Sequence, residues 1–137
     1  MAERTGTMSM STMVPGPPEE VFDRLVDPVL HSAWAGVPSE GTAAPGGAII
    51  CRGGLISARY IELERGQRIV MDWRLAEWPS DLPPSRVEMV LKRFGKGTHL
   101  KLEQSGVPSE LLETIEQMWY EMYWDPMFEH LRSRAVY

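Results

Sequence analysis

The side chains able to do chemistry are few and scattered. The chain holds three histidines and one cysteine. His31 stands three residues before Trp34, near a loop that would cover the mouth of a cavity. It reads either as a proton donor or ligand contact, or as a partly exposed capping histidine near a helix end, and the capping role is the stronger reading. His99 falls on the solvated phase of a strand with Glu103, a pairing that is more often a surface ion pair contributing under ~1 kcal/mol than a catalytic dyad. His130, beside Glu129 on a C-terminal helix, has the same plain reading. No zinc spacing such as HExxH or paired CxxC connects the histidines with Cys51, so no metal is expected. No GxSxG occurs, and Cys51 has no histidine near it in sequence, which leaves nucleophilic catalysis without a candidate. Gly46-Gly47 and Gly53-Gly54 lack phosphate-loop spacing and read as bends in a curved sheet. No catalytic residue and no cofactor is assigned.

The remaining candidates are apolar. Nine methionines and five tryptophans are an unusual allotment for 137 residues. Met is unbranched and polarizable, so it lines irregular pockets as readily as it fills a core. The stretch DWRLAEWPSD carries two of the tryptophans, Trp73 and Trp78. Trp73 shares the phase of Ile69 and Met71 and is expected to point inward. Trp78 runs into Pro79 and stands in a loop with Pro83 and Pro84. It is either an exposed anchor for a partner or a side chain folded back onto the sheet edge, pinning the loop.

The elements that position these residues follow from periodicity. Thr5 to Met13 alternates weakly as a first strand near an edge. Pro18 suits a first helical position, Glu19 and Glu20 suit the positive end of the helix dipole, and Val21, Phe22, Leu25 and Val26 share one face. Asp27-Pro28 ends that helix and starts a second, Pro28 to Trp34. Gly36 to Gly47 reads as loop. Five strand-like runs come next: Ala48 to Arg52, Leu55 to Glu64, Gln67 to Leu75, Arg86 to Phe94 and Thr98 to Ser105. Arg65-Gly66 and Gly95-Lys96-Gly97 are hairpin turns, and connections this short force antiparallel neighbours. One face of the sheet is apolar. The other carries Glu62, Asp72, Glu88 and Glu103 with Arg59, Arg74, Arg86, Lys92 and Lys101, a pattern of cross-strand pairing or of a charged surface for a partner. Arg93 shares the inward phase of Met89 and Leu91, so it either reaches solvent at the sheet end or meets a polar group in the cavity.

Ser109 is expected to cap a long helix running to about Ser133, with Leu111, Leu112, Ile115, Met118, Trp119, Met122 and Leu131 as its apolar stripe. Pro126 cannot donate to the Met122 carbonyl, so a kink or break is expected there, with Asp125 capping the continuing segment. The expected architecture is α+β: a curved antiparallel sheet of about six strands wrapped on a long C-terminal helix, with two short helices after the first strand, all in one domain over 1–137. A cavity between sheet and helix would be lined by Trp34, Met71, Trp73, Met89, Met118, Trp119 and Met122.

Apolar content of 43% and charged content of 24% suit a globular domain of this length. The net charge of −5 and the lack of a basic block exclude nucleic acid and anionic membranes as main partners. A single cysteine precludes an intrachain disulfide, and the first residues lack the apolar core of a signal peptide. The expected location is cytoplasmic.

The run Trp73-Arg74-Leu75-Ala76-Glu77-Trp78-Pro79, the run from Gly97 to Pro108 ending in Gly106-Val107-Pro108, and Trp119 followed by Pro126 carry a family resemblance. Val21-Phe22, Asp27-Pro28 and Tyr60-Ile61-Glu62-Leu63 add to it. Together they resemble the C-terminal domain of the activator of heat-shock protein 90 ATPase, within the START-like, birch-pollen-allergen-like superfamily. The likeness extends from about Ser9 to Leu131. Met118 stands where that family usually has Gly, and Ala58 where it often has Gly. The resemblance implies the helix-grip fold. The eukaryotic activator carries most of its chaperone activation on a separate N-terminal domain, for which 137 residues leave no room.

Three functions are consistent with these readings. The first is non-enzymatic binding of a small apolar or aromatic molecule between sheet and helix. The second is a chaperone-cofactor-like module that binds heat-shock protein 90 through Trp78 and the charged sheet face. The third is a cavity enzyme of cyclase or hydrolase type, with His31 or a carboxylate as general acid or base. A homodimer through an exposed strand or Trp is also open.

Overall fold

A computed structural model describes residues 4–135, with side chains to residue 132. Strand β1, Thr5–Pro15, leads into helix α1, Pro18–Val26, and helix α2, Pro28–Ala35. Pro18 and the acidic first turn start α1 as expected, and Val21, Phe22, Leu25 and Val26 are its buried face. Asp27 closes α1 and opens α2: its carboxylate accepts from the backbone N–H of Val29 (2.9 Å) and Leu30 (3.2 Å). These bonds satisfy two of the free donors at the start of α2. Gly36, at φ 74°, ends α2 in the left-handed conformation that glycine adopts without steric cost.

The sheet has seven strands, all antiparallel to their neighbours, in the order β1-β7-β6-β5-β4-β3-β2. Beyond β1 they are β2 Ser39–Gly41, β3 Ala48–Cys51, β4 Ile56–Glu64, β5 Arg68–Leu75, β6 Ser85–Phe94 and β7 Gly97–Pro108. The strand beyond the expected six is β2, in the stretch read as loop. Three residues cannot display a period of two. Gly41 permits the pairing, because a Cβ there would lie 2.0 Å from the Ala48 carbonyl oxygen.

The expected alternation holds. Trp73, Val87, Met89, Leu100 and Leu102 are fully buried on the inner face. On the outer face Arg68 spans three strands, bonding Glu62 and Glu88, and Arg86 bonds Asp72 at 3.0 Å. Arg93 reaches solvent at the sheet end, 3.8 Å from Glu19, and does not enter the interior.

The C-terminal helical segment differs from expectation in two places. Ser109 lies in a short 3-10 turn, Ser109–Leu111, and helix α3 begins only at Leu112 with no side-chain cap. Pro126 does not break the helical segment. After α3, Leu112–Trp119, a π-helical turn spans Tyr120–Trp124, and α4 continues over Asp125–Ala135. The Asp125 N–H reaches back five residues to the Tyr120 carbonyl, and Asp125 keeps helical angles rather than acting as a cap. Widening the turn absorbs the missing Pro126 donor while the chain stays helical on both sides of it. It also carries Tyr123 and Trp124 inward, both buried.

Candidate functional site

The interior between sheet and helices is built of aromatic rings. Trp73 from β5 and Trp119 from α3 have ring centroids 5.5 Å apart, and both are fully buried. The ring of Tyr123 packs against Trp119 with centroids 4.3 Å apart and planes tilted by 45°, and Trp34 from α2 lies 5.6 Å from Tyr123. A buried polar chain fixes this cluster. Trp119 Nε1 donates to Gln104 Oε1 (2.8 Å), Gln104 Nε2 to Ser85 Oγ (2.9 Å), and Ser85 Oγ to the Trp73 carbonyl (2.6 Å). Gln104 and Ser85 are inaccessible to solvent, so the amide orientation is dictated by its two partners. Trp34 Nε1 donates to the Arg24 carbonyl (2.7 Å), tying α2 to α1.

What remains open inside is a cavity of about 20 Å³. Met71, Trp73 and Met89 line it, with His31, Tyr60 and Tyr123 as its polar groups. The volume suits about one water molecule. Trp34 and Trp119 stand behind this lining as packing, while Met118 and Met122 lie outside it altogether, on an open groove beside α3. The expected ligand set is thus divided among the cavity wall, the packing behind it and the groove.

His31, Tyr60 and Tyr123 define the electrostatics of the cavity. His31 Nδ1 lies 3.0 Å from the Leu25 carbonyl, which requires the proton on Nδ1 and leaves Nε2 as an acceptor. Nε2 lies 3.8 Å from Cys51 Sγ, a contact between residues twenty apart that linear spacing concealed. Burial lowers the His31 pKa, opposed by the Leu25 hydrogen bond and aided by Arg52. Burial raises the Cys51 pKa. Both shifts favour the neutral forms, a thiol donating to an imidazole rather than a thiolate beside an imidazolium. An activated nucleophile needs the opposite. The expected exposure of His31 is corrected: the residue is 4% exposed and belongs to the core, while its ring still bonds a last-turn carbonyl of α1, that of Leu25.

The Tyr60 hydroxyl donates to the Val26 carbonyl at 3.3 Å, and burial holds its pKa above the ordinary phenol range. Tyr123 is raised for the same reason, with the nearby Trp73 N–H acting the other way. That N–H lies close enough to favour the phenolate, yet has no hydrogen-bond partner of good geometry. Tyr60 is legible as the inward phase of its strand and Tyr123 as one helical turn beyond Trp119. Neither polar tip draws attention in a run of apolar neighbours.

Trp78 is 4% exposed, with its ring edge-on to Trp73 at 5.7 Å. Of the two readings of Trp78, the folded-back side chain holds and the exposed anchor is corrected. Arg74 holds the loop closed by donating to the carbonyls of Trp78, Pro79 and Leu82. A guanidinium with a planar array of donors can satisfy several carbonyls that no strand partner reaches.

The groove beside α3 encloses about 560 Å³. Its floor is Ile115, Met118 and Met122 from the helical segment, Leu75 at the end of β5 and Leu55 just before β4. Glu77 stands on the sheet side, and Glu113 and Glu121 on the helix side. Among the described residues, no three or more His, Cys, Asp and Glu side chains form a group able to hold a metal ion, and no helix is long and apolar enough to cross a membrane.

Comparison with known proteins places this architecture. The chain is 24% identical to an uncharacterized protein of Schizosaccharomyces pombe over 123 residues, covering 90% of this chain and 36% of that protein. It is 27% identical to the activator of 90 kDa heat shock protein ATPase homolog 2 of Mus musculus over 114 residues, covering 77% of this chain and 34% of that one. It therefore spans about a third of the length of these curated relatives. The crystal structure of an Hsp90 activator from Plasmodium falciparum superposes with a TM-score of 0.79 at 20% identity, covering 96% of each chain, a likeness of fold. The sheet, the two short helices and the long C-terminal helical segment make the helix-grip arrangement. A sequence model of one family matches residues 15–132, and on that match the chain belongs to the Activator of Hsp90 ATPase homolog 1-like protein family.

Proposed function

We propose that this chain is a protein-interaction module for a heat-shock protein 90-type chaperone, and that its interior is scaffold rather than storage. The observation that carries the reading is the filled core. Small-molecule pockets occupy roughly 300–1,000 Å³, against about 20 Å³ here. Family membership supports the chaperone as partner. With Trp78 buried, the contact falls to the solvated sheet face. Lys92, His99 and Lys101 line a shallow recess there, and none of the three makes an ion pair with a described residue. An unpaired basic strip on an acidic protein steers an acidic partner surface toward it. The test is the ATPase rate of purified heat-shock protein 90 titrated with wild-type protein and with Lys92→Glu/Lys101→Glu. The expected result is a saturable change in rate that the double substitution weakens. An unchanged rate, together with no complex at tens of micromolar, would remove the proposal.

A second reading keeps the small apolar ligand. It is favoured by the unpaired Trp73 N–H and by the His31, Tyr60 and Tyr123 groups converging on the cavity. Occupancy requires a ring of the aromatic cluster to swing aside. A small molecule that co-purifies with the wild-type chain, and is lost on Ala58→Trp at the cavity wall, would support it. The absence of any thermal shift across a lipid and polyketide library would count against it.

A further inference from the structure

We infer that the groove between α3 and the ends of β4 and β5 docks an amphipathic, cationic helical segment of a partner protein. The inference goes beyond the proposed function, because it concerns a different face and holds whichever protein carries the segment.

Three features define the occupant. The first is uncovered apolar surface. Leu55, Leu75 and Met122 are only half-buried, and they continue the buried Ile115 and Met118 outward. Two of these five side chains are methionines, whose flexible thioethers mould to different apolar side chains. The second is charge. Glu77, Glu113 and Glu121 flank that floor from both sides, and among the described residues no Lys, Arg or His lines the groove. None of the three makes an ion pair with a described residue; Glu121 accepts from Gln117 at 2.9 Å. An apolar floor between acidic walls complements a helix with an apolar stripe and basic flanks. It repels an acidic one. The third is length. From Glu113 to Met122 the helical wall runs about 13 Å at 1.5 Å per residue. That accommodates about two and a half turns, enough for anchors at i, i+4 and i+7. The groove is open along one side, whereas a small-molecule site encloses most of its ligand.

The π-helical turn contributes to this surface. It follows Trp119 directly and holds Glu121 and Met122 on the groove while Tyr123 and Trp124 face the core. One widened turn thus serves the Pro126 constraint and presents both an acidic and an apolar element to the recess.

The test is isothermal titration of the full chain with a 14-residue peptide of leucines at helical spacing and lysines elsewhere. Its glutamate-for-lysine counterpart and dodecyltrimethylammonium are parallel arms. The protein variants are Glu113→Lys/Glu121→Lys, Glu77→Lys, and a charge-matched control, Glu40→Lys/Glu64→Lys, with folding checked by circular dichroism. All five altered glutamates are exposed. The expected result is saturable one-to-one binding of the lysine peptide, weakened tenfold or more by the groove double variant and less by Glu77→Lys. The control should stay within twofold of wild type, and the glutamate peptide should not bind. The inference is overturned if the lysine peptide fails to bind, if control and groove variants lose affinity equally, or if only the surfactant binds. These results leave the chaperone ATPase titration unaffected, so the two proposals fail separately.

Discussion

The indoles of Trp73 and Trp119 face each other at 5.5 Å across the space between sheet and helix, and neither reaches solvent. In a helix-grip fold that space can hold a ligand. Here two tryptophans from opposite layers occupy it, and a hydrogen-bonded chain through Gln104 and Ser85 holds them there. Filling and fixing the gap together argue for an action at the surface.

The polar chain can be tested apart from the packing. Gln104→Leu leaves the Trp119 N–H buried without its acceptor and strips the Ser85 oxygen of a donor, while the Ser85 hydroxyl keeps its bond to the Trp73 carbonyl. An unpaired buried polar group costs about 1–3 kcal/mol, so urea unfolding should show a loss of that size. Trp119→Ala removes a buried ring and should cost about 3–5 kcal/mol. A fully stable Gln104→Leu variant would contradict the chain's assigned role.

His31 should make stability pH-dependent. Burial lowers its folded pKa below the ordinary 6.5. Between the two values the unfolded chain binds a proton that the folded chain does not. The neutral side chain therefore contributes its full stability above about pH 6.5 and loses it as pH falls from there toward the depressed folded value. The slope reaches at most about 1.4 kcal/mol per pH unit. Melting temperatures of wild type and His31→Gln, compared from pH 7.5 to 5, should diverge in that window, with wild type falling faster. Parallel curves would contradict the shift.

Cys51 should be silent in the native protein. It is 2% exposed and its thiol is pushed up by burial. A chromogenic disulfide reagent at pH 7.5 should react stoichiometrically in urea and only at the rate of opening without it. Fast labelling of the folded chain would mean an accessible, activated thiolate and would revive the enzymatic reading.

The loop after β5 depends on one side chain. Arg74→Lys keeps the charge but lacks the planar fork that serves three carbonyls. Limited proteolysis should then cut between Trp78 and Leu82, faster than in wild type by tenfold or more, with the core intact. Equal cleavage rates would show that Trp78 burial alone pins the loop.

The sequence carries most of this architecture because period-2 alternation over eight or more residues is a strong signal. β5, β6 and β7 are readable on that basis, and phase alone places Trp73 inward. β2 is not, since three residues have no period and the pairing depends on a glycine's close approach. Pro126 is legible as a missing donor, but a π turn absorbs it without breaking the helical segment, and local sequence does not choose between a π turn and a break. The division of the methionines is hidden for a different reason. Met118 and Met122 share the helical stripe of Trp119, yet a stripe wider than the sheet beneath it must leave one margin uncovered. Which margin depends on the tertiary fit, as does the meeting of His31 with Cys51.

Native mass spectrometry of the purified chain mixed with heat-shock protein 90 tests the central claim most directly, since it reads occupancy, subunit count and complex formation in one spectrum. The account predicts the bare polypeptide mass for the free chain and a new species of chaperone plus chain. A constant small-molecule increment on the free chain, with no chaperone complex, would contradict it.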